Sequence, residues 1–229
     1  MIPLSTRMRP RSLDEFFGQE HFLYSGSLFY NSIKNRTFDS AIFFGPSGTG
    51  KTTLARIIAR EMDGDFHEIN ASTTGTKEFK ELLESAKLRF YGLEKRTTYF
   101  YIDEFHRWNK LQQDSLLKAL EEGVIKFIGS TTENPYFAIN NAVISRVRNI
   151  YEFKRLKEDD LEKIIRRALQ DRDRGVGALG VSWDEEAIDI LAKLSNGDAR
   201  VALDTVGFIT ENTDRKQTVS SAAVQEAMQ

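Results

Sequence analysis

Two rhythms of apolar and polar positions alternate along the first two thirds of this chain. Apolar runs of strand length recur at residues 41–44, 66–69, 98–102, 125–128 and 149–153, and helical spacing fills the gaps between them. Strands that alternate with helices predict an α/β fold with a parallel sheet of five strands. One helix is expected over residues 109–121, where Leu116, Leu117 and Leu120 share a face and Gly123 follows the end. After Phe153 the strand rhythm stops. Leu161, Ile164, Ile165, Ala168 and Leu169 form an amphipathic stripe, and Gly175, Gly177 and Gly180 mark a loop behind it. Ser182 and Glu185 have capping-box spacing ahead of Ala187, Ile188, Leu191 and Leu194, and further helices are expected from Asp198 and from about Val219. The pattern predicts an α/β core over residues 1–155 and a small all-α domain over residues 156–229.

Composition narrows the chemistry. At 229 residues and 40% apolar content the chain can bury a substantial core. Thirty-two basic residues face 34 acidic ones, so bulk charge does not argue for nucleic-acid binding and any such contact must be local. The absence of cysteine removes disulfides, zinc fingers and thiol catalysis. His21, His67 and His106 are scattered, without a partner at metal-ligand spacing, which argues against a metal site built from protein ligands alone. No run reaches bilayer length and the N-terminus lacks a signal-peptide core, so the expectation is a soluble cytoplasmic protein with no membrane partner.

Residues 45–52 read Gly45-Pro46-Ser47-Gly48-Thr49-Gly50-Lys51-Thr52, followed by Thr53, between the apolar run at 41–44 and an amphipathic segment with Leu54, Ile57, Ile58 and Met62. This is a phosphate-binding loop in its proper setting. Glycines let the backbone wrap phosphates, and the N–H groups opening the helix supply positive partial charge. Lys51 is then placed to reach the β- and γ-phosphates, and Thr52 to hold Mg²⁺. The apolar run at 98–102 ends in Asp103 and Glu104, at the sheet edge where ligands bind in open α/β folds. Asp103 is expected to hold Mg²⁺ through its water shell and Glu104 to orient and polarise the attacking water, a pairing that suggests hydrolysis. The polar cluster from Gly129 to Pro135 leads out at the same edge, where a hydroxyl could meet the γ-phosphate; an ordinary turn has the same composition. Ser145-Arg146-Val147-Arg148 and Gly197-Asp198-Ala199-Arg200 each place an arginine near an element boundary, where either solvation or phosphate contact is open to it.

In this order the pieces resemble an AAA+ ATPase, and more specifically the replication-associated recombination protein A family, relatives of the clamp-loader ATPases. The segments that carry the resemblance are Arg7-Met8-Arg9-Pro10, Leu13-Asp14-Glu15-Phe16, Gly18-Gln19-Glu20-His21 and His106-Arg107-Trp108-Asn109-Lys110 with Gln112-Gln113-Asp114. Thr131-Thr132-Glu133-Asn134-Pro135 and Asn196-Gly197-Asp198-Ala199-Arg200 complete the set. The resemblance implies that Thr132 is sensor 1, that Arg146 is a finger acting on ATP bound by a neighbouring subunit, and that Arg200 is the lid's sensor 2. It also implies that Arg9, Pro10, Gly18 and Gln19 pack over the adenine. Asn70 is similar to the residue that restrains the catalytic glutamate in relatives, although an asparagine at a strand end also forms turns.

Two departures bear only on detail: Ser47 replaces a second proline common in the loop, and Trp108 stands where relatives often have phenylalanine. A third is larger. The family continues into a C-terminal helical domain that assembles tetramers, whereas this sequence stops at Gln229, so the expectation is a piece of a longer chain whose own oligomeric state is open. By resemblance the function is an ATP- and Mg²⁺-dependent ATPase that remodels DNA at stalled or damaged replication forks, in the bacterial cytoplasm at the nucleoid. DNA junctions, single-strand-binding protein and a homotetramer are the implied partners. A nucleotide-gated adaptor with incidental turnover is the alternative, and a P-loop kinase a third reading that Asp103-Glu104 and two arginine motifs argue against.

Overall fold

The computed structural model of the protein describes residues 2–93, 95–147, 149–215 and 217–229; Arg148 of the Ser-Arg-Val-Arg string lies outside the described residues. Contacts divide the chain into a sheet unit, Glu20–Pro46 with Lys51–Phe153, and a helical unit, Met1–Gln19 with Ser47–Gly50 and Lys154–Gln229.

The sheet unit contains helix α2 (Leu28–Lys34), with α1 (Leu4–Arg7) belonging to the helical unit. Strand β1 (Ala41–Phe44), α3 (Lys51–Glu61), β2 (Asp65–Asn70), α4 (Thr76–Tyr91), β3 (Thr98–Asp103), α5 (Lys110–Glu121), β4 (Ile125–Thr131), the short helices α6 (Pro135–Ala138) and α7 (Asn141–Val147), and β5 (Ile150–Glu152) follow. All five strands are parallel, in the order β2-β3-β4-β1-β5. Crossover helices cover both faces, which is why the strands read as continuous apolar runs. One face packs Phe79, Phe100, Phe105, Trp108, Leu116 and Phe127 into a single core. On a second cluster, Phe22, Phe29, Phe38, Phe43, Tyr151 and Phe153 meet ring to ring. Helix α5 starts where expected because Asn109 and Gln112 close a reciprocal capping box.

Strand β4 runs further than its apolar residues suggest. Gly129, Ser130 and Thr131 pair with Ile42, Phe43 and Phe44, so the first half of the polar cluster is strand rather than turn, and its two hydroxyls are buried. Register therefore lines up Phe44 with Thr131 and Asn70 with Asp103 at one edge of the sheet.

The helical unit packs α8 (Glu158–Gln170), α9 (Glu185–Leu194), α10 (Ala199–Glu211) and α11 (Ser221–Ala227) around Leu161, Ile165, Leu191, Ala202, Val206 and Val224. Helix α1 joins this core through Leu4 and Met8, and Asp204 on α10 accepts a hydrogen bond from the Ser5 N–H (3.0 Å). The expected capping box at Ser182 does not form. Ser182 instead lies in β6 (Ser182–Trp183), which pairs with β7 (Thr218–Val219) in a two-residue parallel ladder, so α9 begins at Glu185 behind Asp184. Val219 sits in that ladder, and the last helix starts at Ser221. No helix among the described residues is long and apolar enough to cross a membrane.

Candidate nucleotide-binding site

The phosphate-binding loop leaves β1 at Gly45, whose N–H donates to Thr131 O at 3.0 Å across the β1–β4 pair. Gly45 has a φ of +136°, and a Cβ there would stand 2.1 Å from Phe153 O, so no other residue fits without moving the strand end. Helix α3 opens at Lys51. Its Nζ curls back and donates to Gly45 O (2.8 Å) and Pro46 O (2.6 Å), which holds a largely buried cation against the loop that it must serve. Its neighbour Thr52 places Oγ1 2.8 Å from the Tyr101 hydroxyl, and Thr53 follows on the same first turn.

Strand β3 brings the acids to this place. Tyr99, Tyr101 and Asp103 share one face by alternation, and Tyr101 OH lies 3.3 Å from Asp103 Oδ1. Ser130, from the adjacent β4, also donates to Asp103 Oδ1. Burial, reinforced by the charge of Asp103, pushes the Tyr101 phenol well above its usual range, so it stays a neutral hydroxyl. Thr52 and Asp103 thus meet through one shared partner, and these hard oxygen donors beside a phosphate loop fit a hydrated Mg²⁺ bound with a triphosphate.

Glu104 follows in a left-handed conformation (φ 57°, ψ 36°), a backbone state that costs an L-residue about 1–2 kcal/mol. Strain of this kind is retained where the surrounding structure imposes it. Its carboxylate accepts from Arg107 Nε at 2.7 Å and lies 3.9 Å from His106 Nε2. His106 in turn meets Thr131 Oγ1 at 2.9 Å through Nδ1 and Glu133 at 3.5 Å. Asn70 does not reach into this group: its Oδ1 accepts from the Ser72 N–H (2.8 Å), as a turn former does. Thr132 is the first residue past β4 and is exposed.

Arg146 lies apart from these residues. It is exposed on α7, and its guanidinium donates to the carbonyls of Leu120 and Glu121 at the end of α5 (3.4 and 3.5 Å). Trp108, whose part was open in the sequence, is core: it packs edge-on against Phe79 at 4.6 Å between ring centroids.

Within the helical unit, the loop residues Ser47–Gly50 meet α10 and the N-terminal segment. Ala199 N–H donates to Gly48 O (3.1 Å), and a Cβ on Gly48 (φ +67°) would overlap Asp198 Oδ1 at 1.8 Å. Asp198 caps α10 by accepting from the N–H groups of Arg200 (2.8 Å) and Val201 (3.2 Å). Arg200 is exposed on that first turn. Gln19 is nearly fully buried; its amide accepts from Lys154 N–H (2.9 Å) and donates to Lys154 O (2.7 Å) and Thr49 O (3.4 Å). Gly18 packs on Leu156, while Arg9 and Pro10 are partly exposed beyond α1.

Sequence reasoning did not single out Tyr101, Ser130, His106 or Arg107 for a part at the sheet edge, nor Asp198 for its hold on the helical unit's α10. His106 and Arg107 stood in a string quoted for the resemblance without a role. Tyr101 was counted only as an apolar strand residue, and the signal that could have found it is its place two residues before Asp103, on the same face.

A family described as the Holliday junction DNA helicase RuvB P-loop domain matches residues 8–141. The replication-associated recombination protein A of Haemophilus influenzae is 41% identical over 215 residues, which cover 94% of this chain and 48% of that protein. The protein of the same name from Escherichia coli is 43% identical over 210 residues, covering 91% and 46%. The chain spans about half the length of the curated relatives it matches. A solved structure titled Thermotoga maritima RuvB Holliday junction branch migration motor superposes with a TM-score of 0.77 at 28% identity, covering 97% of this chain and 72% of that one. With its phosphate loop, its acid-terminated strand, a five-stranded parallel sheet and a helical region later in the chain, the chain belongs to the RuvB P-loop domain family of AAA+ ATPases, with replication-associated recombination protein A among its relatives.

Proposed function

We propose that the chain binds ATP with Mg²⁺ and hydrolyses it, and that the longer protein it represents couples this to remodelling of DNA at stalled or damaged replication forks. The observation that carries the first half is a phosphate loop that holds the Lys51 ammonium, followed at once by Thr52, which is linked through the Tyr101 hydroxyl to Asp103 at the end of β3. The second half is supported by relatives named for replication-associated recombination and by a RuvB likeness. Single-strand-binding protein and a homotetramer are carried over as partners on the same footing, as is a place in the cytoplasm at the nucleoid.

In this reading residues 1–155 act as the nucleotide-binding core and 156–229 as a lid. The loop from Gly45 to Thr53 cradles the phosphates, with the donating N–H groups lying past Pro46, and Lys51 exchanges its carbonyl partners for phosphate oxygens. Thr52 and Asp103 would hold Mg²⁺, which when bound neutralises charge on the phosphates. Glu104 accepts a hydrogen bond from the water that attacks the γ-phosphorus, while the bond to the β–γ bridging oxygen breaks and ADP leaves with that oxygen. Thr132 and Arg200 contact the γ-phosphate from within the protomer, and Arg146 acts on ATP in a neighbour. Arg9, Pro10, Gly18 and Gln19 border the base.

Steady-state ATP hydrolysis tests this. Glu104→Gln should lower turnover by about 10²–10⁴-fold and leave ATP binding intact, whereas Lys51→Ala should lose binding. Hydrolysis that persists in Glu104→Gln removes the assigned role. In the full-length protein, forked DNA should raise the rate and Arg146→Ala should lower it; indifference to both would refute shared sites and DNA coupling. The hold of Arg107 on Glu104 favours a second reading, in which turnover is slow and ATP gates an adaptor. Cells that tolerate Glu104→Gln without a replication defect would select it.

A further inference from the structure

We propose that Tyr101 is a positioning residue for the divalent cation: its hydroxyl couples Thr52 to Asp103 and aims both toward one ion. The inference rests on the ATPase reading above. Tyr101 is fully buried in β3, with the Phe66 ring stacked on it at 6.1 Å. A phenylalanine would fill that slot and would bring no polar atom into the core. The phenol oxygen lies 2.8 Å from Thr52 Oγ1 and 3.3 Å from Asp103 Oδ1, and the Ser130 hydroxyl is within its reach as well.

The donor order follows from valence. A carboxylate only accepts, so the single phenolic hydrogen goes to Asp103, and the phenol oxygen accepts from Thr52. The single hydrogen of Thr52 is therefore turned away, and its lone pairs are free for a cation. Ser130 donates to the same oxygen of Asp103 as Tyr101 does. Oδ1 is thus engaged twice, while Oδ2 takes no hydrogen bond from the described residues and is the oxygen left for the hydration shell of an ion. Groups that orient ligands in this way commonly matter for metal affinity nearly as much as the ligands themselves.

The test is a Mg²⁺ titration of fluorescent-ADP binding to the full chain, in wild type, Tyr101→Phe and Ser130→Ala. Tyr101→Phe should raise the Mg²⁺ concentration that gives half of the metal-dependent tightening by about tenfold. Nucleotide affinity in EDTA should stay within about twofold of wild type, which separates positioning from damage to the loop. Bound Mn²⁺, counted by electron paramagnetic resonance, should fall in parallel. A folded Tyr101→Phe protein with the wild-type Mg²⁺ requirement overturns the inference and leaves the ATPase reading standing. Wild type that binds ADP equally with and without Mg²⁺ sinks that reading instead. Should Tyr101→Phe not fold, Ser130→Ala decides: it removes the other donor onto Oδ1, and a shift in the same direction supports the coupling while none refutes it.

Discussion

The sheet unit and the helical unit treat their polar groups differently. In the sheet unit the buried hydroxyls of Tyr101, Ser130 and Thr131 gather at one edge and bond to Asp103, Thr52 and His106. In the helical unit polar side chains hold elements together: Asp198 caps α10, and Glu15 ties Arg167 and Arg174. One unit gathers its buried hydroxyls at a single sheet edge, the other spreads its polar groups over a helix cap and ion pairs. The contrast teaches where damage shows. Changes at the sheet edge should alter chemistry with little loss of stability, while polar changes among the helices should alter stability first.

The largest expected effect breaks the comparison's background, because apolar cores should behave alike in both units. Phe100 and Leu191 are each fully buried. Phe100→Ala should cost about 3–5 kcal/mol and Leu191→Ala about 2–5 kcal/mol by urea denaturation followed by circular dichroism. A loss under about 1 kcal/mol in either would mean that its core closes over the gap, and that the unit is less tightly packed than its burial suggests.

How much of this contrast can be read from sequence depends on distance along the chain. The phosphate loop is legible because its glycines and Lys51 are consecutive, and Asp103 because an acid ending an apolar strand is a local pattern. The partnership of Thr52 with Tyr101 is not, since it exists only when β3 lies beside α3. Ser182 misleads for a related reason: a local capping pattern is overridden by ladder pairing with Thr218. Leu4 and Met8 join the helical core through contacts with residues far along the chain, which no local period announces.

The next effect sharpens the helical side. Burial alone would raise the Glu15 carboxyl, but hydrogen bonds from Arg167, the Arg11 backbone and Arg174 outweigh it and hold it at about 2 against 4.5. A folded pKa below the unfolded one stabilises fully above the unfolded value and loses that contribution as pH falls through the folded one. Between pH 4.5 and about 2, wild type should therefore lose about 2 kcal/mol more than Glu15→Gln, after allowance for solvent screening. Parallel stability curves over that range would deny Glu15 this part. Asp198→Ala should cost about 1 kcal/mol through the lost cap, with Asp198→Asn near wild type.

The smallest effect sets the two tryptophans against each other, one in each unit. Trp183 Nε1 donates to Thr210 Oγ1 at 3.2 Å, and Thr210 is buried. Trp108 Nε1 is buried with no partner among the described residues. An unpaired buried N–H costs about 1–3 kcal/mol, and trimming indole to phenyl gives up packing of similar size, so Trp108→Phe should change stability by less than about 1 kcal/mol. Trp183→Phe loses the packing and also strands the Thr210 hydroxyl, and should cost about 1–2 kcal/mol. Urea denaturation of both variants by circular dichroism, which needs no tryptophan signal, gives the difference directly. If Trp108→Phe is the costlier change, shape rather than polar satisfaction governs the sheet core, and the contrast between the units fails at the point where their chemistry is most alike.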